Sequence, residues 1–174
     1  GRDIKPHIGI FGRRNNGKSS FINTLTGSDI AIVSDIAGTT TDPVKKSMEI
    51  FGIGPAIIVD TAGIDDSGSL GEKRIVKTLA VIKQIDCAIL LIADNIFGEF
   101  EEQLIQQFNR YAVDYLIIHN KADITPLTNE CIKQIQQQTN APLVEFSTIT
   151  KYNLENVIET IKNTIPETAY QNPS

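Results

Sequence analysis

Residues 12–19 read Gly-Arg-Arg-Asn-Asn-Gly-Lys-Ser, a glycine-rich loop of the form G-x-x-x-x-G-K-S. The loop follows an apolar run at 8–11 and opens into a segment with helical patterning. Such a loop points successive backbone N–H groups at one centre and adds the positive end of a helix, so it binds phosphate groups. In this pattern Lys18 reaches the β- and γ-phosphates and the hydroxyl of Ser19 ligates Mg²⁺. The residues expected to hold the phosphates are Asn15, Asn16, Gly17, Lys18, Ser19 and Ser20.

A second motif, Asp-Thr-Ala-Gly at 60–63, follows the apolar run 56–59. A carboxylate at the carboxyl end of a strand can hold Mg²⁺ through a water molecule, and a glycine N–H can approach the γ-phosphate. The sequence therefore predicts Asp60 as a magnesium ligand. It also predicts that Gly63, together with Lys18, contributes to catalysis.

A third motif, Asn-Lys-Ala-Asp at 120–123, follows the apolar run 116–118. The carboxylate of Asp123 can accept hydrogen bonds from both N1–H and the 2-amino group of guanine, an arrangement that adenine cannot satisfy. We therefore expect Asn120, Lys121 and Asp123 to bind a guanine base.

A fourth motif is the hydroxyl-rich stretch Gly-Thr-Thr-Thr-Asp at 38–42. It lies where a mobile threonine must reach both the metal ion and the γ-phosphate. Thr40 is the predicted ligand of Mg²⁺, and Thr39 or Thr41 would fill that role after a shift of one residue. Each motif alone could form an ordinary turn, but the four together in this order favour a nucleotide site.

With these motifs the chain resembles the translation-factor-like P-loop GTPases, in the subgroup that contains Era, Der and MnmE. Within that subgroup it most resembles the HydF-type GTPases, which help to mature the [FeFe]-hydrogenase. This finer resemblance lies within residues 11–78. Its specific matches include 11–15 and 33–44, where Thr-Asp-Pro-Val at 41–44 replaces the arginine that most relatives carry after the paired threonines. It implies a GTP-hydrolysing switch with GTP/GDP and Mg²⁺ as cofactors. The implied partners are hydrogenase-maturation proteins and the hydrogenase itself.

Two other functions stay open beside hydrogenase maturation. One is an Era-, Der- or MnmE-type GTPase that acts in ribosome assembly or tRNA modification. The other is a nucleotide-gated interaction module with negligible turnover, for which a homodimer is the expected assembly.

The same resemblance extends to the second guanine-side loop, although the sequence departs from the usual Ser-Ala followed by Gly-Leu. Here the loop reads Ser147-Thr148, followed by Asn-Leu at 153–154. Because the backbone N–H of Thr148 can still donate to the guanine O6, Ser147 and Thr148 are carried over as base-binding residues.

Residue 64, which follows the second motif, is an isoleucine, where several signalling GTPases place a glutamine that orients the attacking water. MnmE-like proteins use a glutamate in this segment, so Glu72 is a candidate catalytic residue. The alternative is that the acids of this segment only keep a mobile loop solvated. Intrinsic hydrolysis is therefore expected to be slow.

Asn15 occupies the loop position that is associated with potassium-stimulated hydrolysis in this subgroup. Its side-chain carbonyl and the backbone carbonyls of Ser34 and Ile36 are the candidate K⁺ ligands. The alternative is an asparagine that simply favours the turn. Arg13 and Arg14 are expected to be exposed charges flanking the phosphate loop.

Composition favours one compact domain, because 41% of the 174 residues are hydrophobic. The net charge of −5 disfavours binding to nucleic acid. The longest apolar run, at 87–93, is far shorter than the ~20 residues that span a bilayer, and no signal peptide is visible. Two cysteines cannot supply an iron–sulfur cluster on this fragment. We expect a cytoplasmic protein that contacts neither membranes nor nucleic acid.

Apolar runs alternate with helical patterns, which is typical of crossover units and a parallel sheet. The predicted fold is an α/β P-loop NTPase, with a six-stranded, mostly parallel sheet, one antiparallel edge strand and helices on both faces. Residues 1–165 are expected to form the GTPase domain, and 166–174 a linker or tail toward missing C-terminal domains. The strands are predicted near 7–12, 43–51, 55–60, 86–93, 114–119 and 142–146, and the helices near 18–26, 70–84, 98–111, 128–138 and 153–165.

Overall fold

The computed structural model describes residues 5–27, 44–61 and 71–170. Within these ranges the elements agree with the predicted ones to within two residues at each end. The strands are β1 (His7–Gly12), β2 (Val44–Ile50), β3 (Gly54–Asp60), β4 (Cys87–Ile92), β5 (Asp114–His119) and β6 (Leu143–Glu145). The helices are α1 (Lys18–Thr26), α2 (Gly71–Ile82), α3 (Glu99–Arg110), α4 (Asn129–Gln138) and α5 (Leu154–Thr164), followed by a 3₁₀ turn at Glu167–Tyr170.

The six strands form one sheet in the order β2-β3-β1-β4-β5-β6. Every neighbouring pair is parallel except β2 and β3, which are antiparallel and joined by a short turn. The central strand β4 is buried along its whole length, as expected for a strand covered on both faces. The edge strand β2 carries exposed lysines at 45 and 46, which discourage pairing with another sheet. The predicted architecture is therefore confirmed.

Helices cover both faces of the sheet and form two separate cores. Helices α1 and α5 pack over one face, where the rings of Phe21 and Phe146 meet edge-on at 5.7 Å. Helices α2, α3 and α4 pack over the other, where Phe11 meets Phe108 at 5.1 Å. No helix in the described ranges is long and apolar enough to cross a membrane.

The segment predicted as a linker or tail begins with more structure than expected. After Pro166 the chain makes the 3₁₀ turn, in which Ala169 donates its N–H to the carbonyl of Pro166 at 3.0 Å. The side chain of Ala169 is 5% exposed and joins the core beside Ile165. The packed chain thus continues to at least Ala169, because a small apolar residue three positions beyond the proline reaches the sheet-covering layer. The domain boundary at residue 165 stays a prediction.

Candidate nucleotide-binding site

The glycine-rich loop connects β1 to α1 at the carboxyl end of the sheet. Gly17 caps α1 with a left-handed backbone, φ +86°, and a Cβ there would lie 2.7 Å from Nδ2 of Asn120. Any other residue at this position would be strained and would push Asn120 aside. The first α-helical bond runs from the Phe21 N–H to the Gly17 carbonyl at 2.9 Å, so the N–H groups of the first turn point out of the helix. This arrangement suits an anion.

Two of the predicted magnesium ligands, Ser19 and Asp60, lie in described elements, on α1 and at the end of β3. Ser19 and Ser20 are exposed residues of the first turn of α1, directly after the half-buried Lys18. Asp60 ends β3, is 3% exposed, and pairs in register with Ile10 on β1. A hydroxyl and a carboxylate are the hard oxygen ligands that Mg²⁺ prefers. The donor set of Ser19 and Asp60 therefore fits the predicted ion.

The Asn-Lys-Ala-Asp motif is fastened directly to the phosphate loop. Asn120 is fully buried, and its Nδ2 donates to the Asn16 carbonyl at 3.0 Å. The ammonium of Lys121, which has φ +59°, donates to the carbonyl of Asn15. The side chain of Asn16 donates to the Leu91 carbonyl at 3.0 Å, so it is directed toward β4. The base-binding and phosphate-binding segments are thus held as one unit.

Ser147 orients the carboxylate that is predicted to select guanine. Its hydroxyl donates to Oδ1 of the exposed Asp123 at 2.7 Å, and it accepts from the N–H of Thr150 at 3.2 Å. The N–H of Ala122 donates to the Phe146 carbonyl at 3.0 Å, which brings the two loops side by side. The half-buried Thr148 lies in the turn that Ser147 closes. The structure therefore brings together the predicted base-binding residues, and their roles stay predictions.

Several predicted residues are not placed by the structure. Thr40, Gly63, Ser34 and Ile36 lie outside the described residues, and of Glu72 only the backbone, in α2, is described. Asn15 is exposed in the loop with φ +70°, a conformation that asparagine tolerates better than most residues. The candidate K⁺ ligands and the water-positioning role of Glu72 stay predictions.

Arg13 was expected to be an exposed charge, but it is a half-buried member of an ion pair. Its Nε and Nη2 donate to the two carboxylate oxygens of Glu101 on α3 at 2.7 and 2.8 Å. The carboxylate is fully buried and also accepts the Gly98 N–H at 2.7 Å, while the guanidinium lies 5.5 Å from the centre of the Phe100 ring. The hydrogen bond to Glu101 raises the pKa of Arg13. Arg13 thus anchors the phosphate loop to α3.

His119, which precedes the guanine-side motif, is a fully buried residue that sequence reasoning missed. Its Nε2 accepts the N–H of Asn95 at 3.1 Å, so the ring proton must sit on Nδ1, which has no hydrogen-bond partner among the described residues. Burial lowers the pKa of His119, against the opposing effect of the Glu145 and Asp94 carboxylates. The only sequence signal for this role is that a histidine directly follows the apolar run 116–118 and precedes the motif.

We expect the stability of the domain to fall on mild acidification because of His119. Its pKa in the folded state is lowered, so its contribution to stability is fully present above the unfolded value of about 6.5 and is lost as the pH falls toward the folded value. One proton contributes a slope of up to about 1.4 kcal/mol per pH unit. Urea unfolding at several pH values between 7.5 and 5 measures this slope, and His119→Gln should flatten it. Equal slopes in the two proteins would contradict the assignment.

The two cysteines lie on opposite faces of the sheet. Cys87 belongs to the core under α1 and α5, and Cys131 to the core under α2, α3 and α4. Burial raises the pKa of both thiols. Among residues 5–27, 44–61 and 71–170, no three His, Cys, Asp or Glu side chains form a group that could hold a metal ion. The two cysteines cannot share one cluster across the sheet.

A groove of about 800 Å³ lies at the opposite, amino-terminal edge of the sheet. It is lined by the start of β5 and by residues 138–142 before β6. None of the predicted site residues contributes to it. The described residues that are predicted to bind the nucleotide lie instead at the carboxyl ends of the strands, where open α/β sheets place their ligands.

Comparison with known proteins identifies the family. A profile described as 50S ribosome-binding GTPase matches residues 7–149. The chain belongs to this GTPase family. The tRNA modification GTPase MnmE of Nitrosomonas europaea is 37% identical over 150 residues, covering 84% of this chain and 32% of that protein. GTPase Der of Wolinella succinogenes is 36% identical over 149 residues, covering 80% of this chain and 32% of that protein.

Solved structures of the GTPase Era share the fold. Era in complex with MgGDPNP and nucleotides of 16S ribosomal RNA matches with a TM-score of 0.74 and 25% identity, over 99% of this chain and 60% of that one. Aquifex aeolicus Era bound to GDP.AlF4⁻ matches with a TM-score of 0.73 and 24% identity, over 93% and 57% of the two chains. The second match, at that identity, shows the fold alone.

The chain is thus a P-loop GTPase domain of the Era, Der and MnmE type, and GTP/GDP and Mg²⁺ are the cofactors that this family implies. It spans about a third of the length of the curated relatives it matches. Nothing in the comparisons points specifically to a HydF-type protein. They favour the alternative expectation, an MnmE-, Der- or Era-type GTPase, over hydrogenase maturation.

Proposed function

We propose that this domain is the slow GTP-hydrolysing switch of a longer protein that acts in tRNA modification or ribosome assembly. The observation that carries the switch is the fastening of the guanine-side motif to the phosphate loop, through Asn120 to Asn16 and Lys121 to Asn15. Similarity to MnmE and Der over most of the chain supports the RNA-linked role. A cytoplasmic location and a homodimer are parts of the same proposal.

In this proposal the site residues that the structure describes have distinct roles. Lys18 and the N–H groups at the start of α1 hold the β- and γ-phosphates, and Ser19 and Asp60 hold Mg²⁺. When bound, the ion neutralises charge that develops on the phosphates. The carboxylate of Asp123, aligned by Ser147, selects guanine. Water positioning is assigned to residues outside the described ranges or to Glu72.

Lys18→Ala should weaken GDP binding about 10- to 100-fold, because it removes charge-assisted hydrogen bonds worth roughly 1.5–3 kcal/mol. Titration calorimetry with GDP and Mg²⁺ measures the loss. Lys133→Ala, an equal change at an exposed position of α4, is the matched control and should bind as the unmodified domain does. Unchanged affinity in Lys18→Ala would remove the phosphate site from this loop.

KCl should accelerate GTP turnover relative to NaCl at equal ionic strength, if Asn15 supplies an oxygen that holds K⁺ beside the phosphates. The effect should be several-fold, and Asn15→Ala should abolish most of it while GDP affinity stays nearly intact. The rates are measured at several protein concentrations, because ordering of the cation site could require two domains to meet. Identical rates in both salts at every concentration would leave Asn15 as an ordinary turn residue.

Hydrogenase maturation is the second candidate, favoured by Thr-Asp-Pro-Val at 41–44. Deleting the encoding gene separates the two. An RNA-linked role predicts altered tRNA nucleosides or ribosomal-subunit profiles with normal hydrogenase activity. A role in hydrogenase maturation predicts lost hydrogenase activity with normal tRNA nucleosides and ribosomal-subunit profiles. If the deletion changed neither the RNA nor the hydrogenase activity, and the purified domain showed negligible GTP turnover, a nucleotide-gated interaction module would be supported.

A further inference from the structure

A group of polar residues makes hydrogen bonds to the chain that follows the guanine-side motif, at residues 125–128. This support cluster consists of Asp94 and Asn95 in the β4–α3 loop, His119 at the end of β5, and Glu145 at the end of β6. His119 is fully buried and accepts the backbone N–H of Asn95 through Nε2 at 3.1 Å. The buried ring thereby fixes the position of the β4–α3 loop relative to β5.

Asn95 extends this support to the chain that follows Asp123. Its Oδ1 accepts the N–H of Thr128 at 2.8 Å, and its Nδ2 donates to the Pro126 carbonyl at 3.0 Å. Both Asp94 and Asn95 have φ +57°, so the loop is held in a left-handed conformation that aims the Asn95 side chain at this segment. The Thr128 hydroxyl also donates to Oδ1 at 3.3 Å, so three of the hydrogen bonds that fix residues 126–128 involve this one side chain.

The carboxylates of the cluster add two more attachments. Asp94 Oδ1 accepts the Thr125 hydroxyl at 3.2 Å, and Glu145 Oε2 accepts the Leu127 N–H at 2.7 Å. Residues 125–128 are thus tied to the β4–α3 loop and to β6, and His119 ties that loop to β5. Ser147 in turn holds the Asp123 carboxylate at 2.7 Å.

We infer that His119 and Asn95 are positioning residues for guanine selectivity, acting through the loop that carries Asp123. The inference rests on the proposed guanine-binding role of Asp123. Two hydrogen bonds to guanine require the carboxylate to meet N1–H and the 2-amino group at once, which tolerates little movement of the loop. A side chain without an acceptor at position 119 leaves the Asn95 N–H without its partner and releases the loop.

The test compares the affinities for GDP and for IDP, whose base lacks the 2-amino group. The unmodified domain should bind GDP about 10-fold or more tightly than IDP, since one charge-assisted hydrogen bond is absent. His119→Leu should lower this ratio about fivefold or more, mainly by weakening GDP. His119→Gln, whose Oε1 can accept near the Nε2 position, should restore it. Gln137→Ala, an exposed change on α4, is the control.

Asn95→Gly provides a second variant, because glycine accepts the left-handed backbone while losing all three side-chain hydrogen bonds. It should lower the ratio of GDP affinity to IDP affinity as His119→Leu does. If circular dichroism shows that His119→Leu does not fold, Asn95→Gly alone tests the inference. An unchanged ratio in folded variants would overturn the inference. Equal binding of GDP, IDP and ADP by the unmodified domain would instead contradict the proposed function. A loss of thermal stability with an unchanged ratio would assign the cluster a purely structural role.

Discussion

Asp123→Asn should move the domain from guanine to xanthine nucleotides. The carboxylate accepts two hydrogen bonds from guanine, each worth roughly 1.5–3 kcal/mol as a charge-assisted bond, so GDP affinity should fall at least about 100-fold. Xanthine carries a 2-oxo group, which can accept from the new amide N–H, so XDP should bind more tightly than GDP. Ser147 can still donate to the amide oxygen, which keeps the side chain aligned.

Displacement of a fluorescent guanine nucleotide by GDP, XDP and ADP measures this exchange. Asp114→Asn makes the same chemical change at the opposite end of β5, beside the amino-terminal groove, and should leave the order of affinities intact. If Asp123→Asn kept the original preference for GDP, base selection would have to lie elsewhere in the site.

Arg13→Met should destabilise the domain by about 3–5 kcal/mol, the cost of leaving a buried carboxylate without its charged partner. Glu101 is fully buried, and among the described residues the Gly98 N–H would remain as its hydrogen-bond donor. Glu101→Leu should lower the free energy of unfolding by less than Arg13→Met does, because the side chain of Arg13 is 39% exposed and its charge can reach water. The double variant should recover part of the loss of Arg13→Met, since it buries no unpaired charge.

Urea unfolding of the single and double variants measures these differences. Lys133→Met, which removes an exposed cation on α4, should shift the free energy of unfolding by less than about 0.5 kcal/mol. Equal losses in Arg13→Met and Lys133→Met would mean that the buried pair does not anchor the phosphate loop.

The architecture was predictable because local patterns determine it. Apolar runs such as 87–92 marked the buried strands, and each motif followed a strand at the edge where open α/β sheets bind ligands. The 3₁₀ turn at Glu167–Tyr170 was not predicted, because the packing of Ala169 depends on where the chain leaves α5 and not on a periodic pattern.

The supports of the site were not predictable, because they join residues far apart in the sequence. Arg13 and Glu101 are 88 positions apart, and Glu101 is one of three acids in the first turn of α3, where acids are common on exposed positions. Nothing in the local sequence distinguishes Asn95 from an ordinary turn residue before α3. Only the tertiary fold places its N–H beside the buried ring of His119.

Phosphate release from GTP and from ATP, with Mg²⁺ and with EDTA, tests the central claim most directly. A guanine-specific, magnesium-dependent switch predicts slow release from GTP that requires Mg²⁺, and release from ATP no faster than in the absence of protein. ATP turnover at the rate of GTP turnover, or GTP turnover that persists in EDTA, would contradict it.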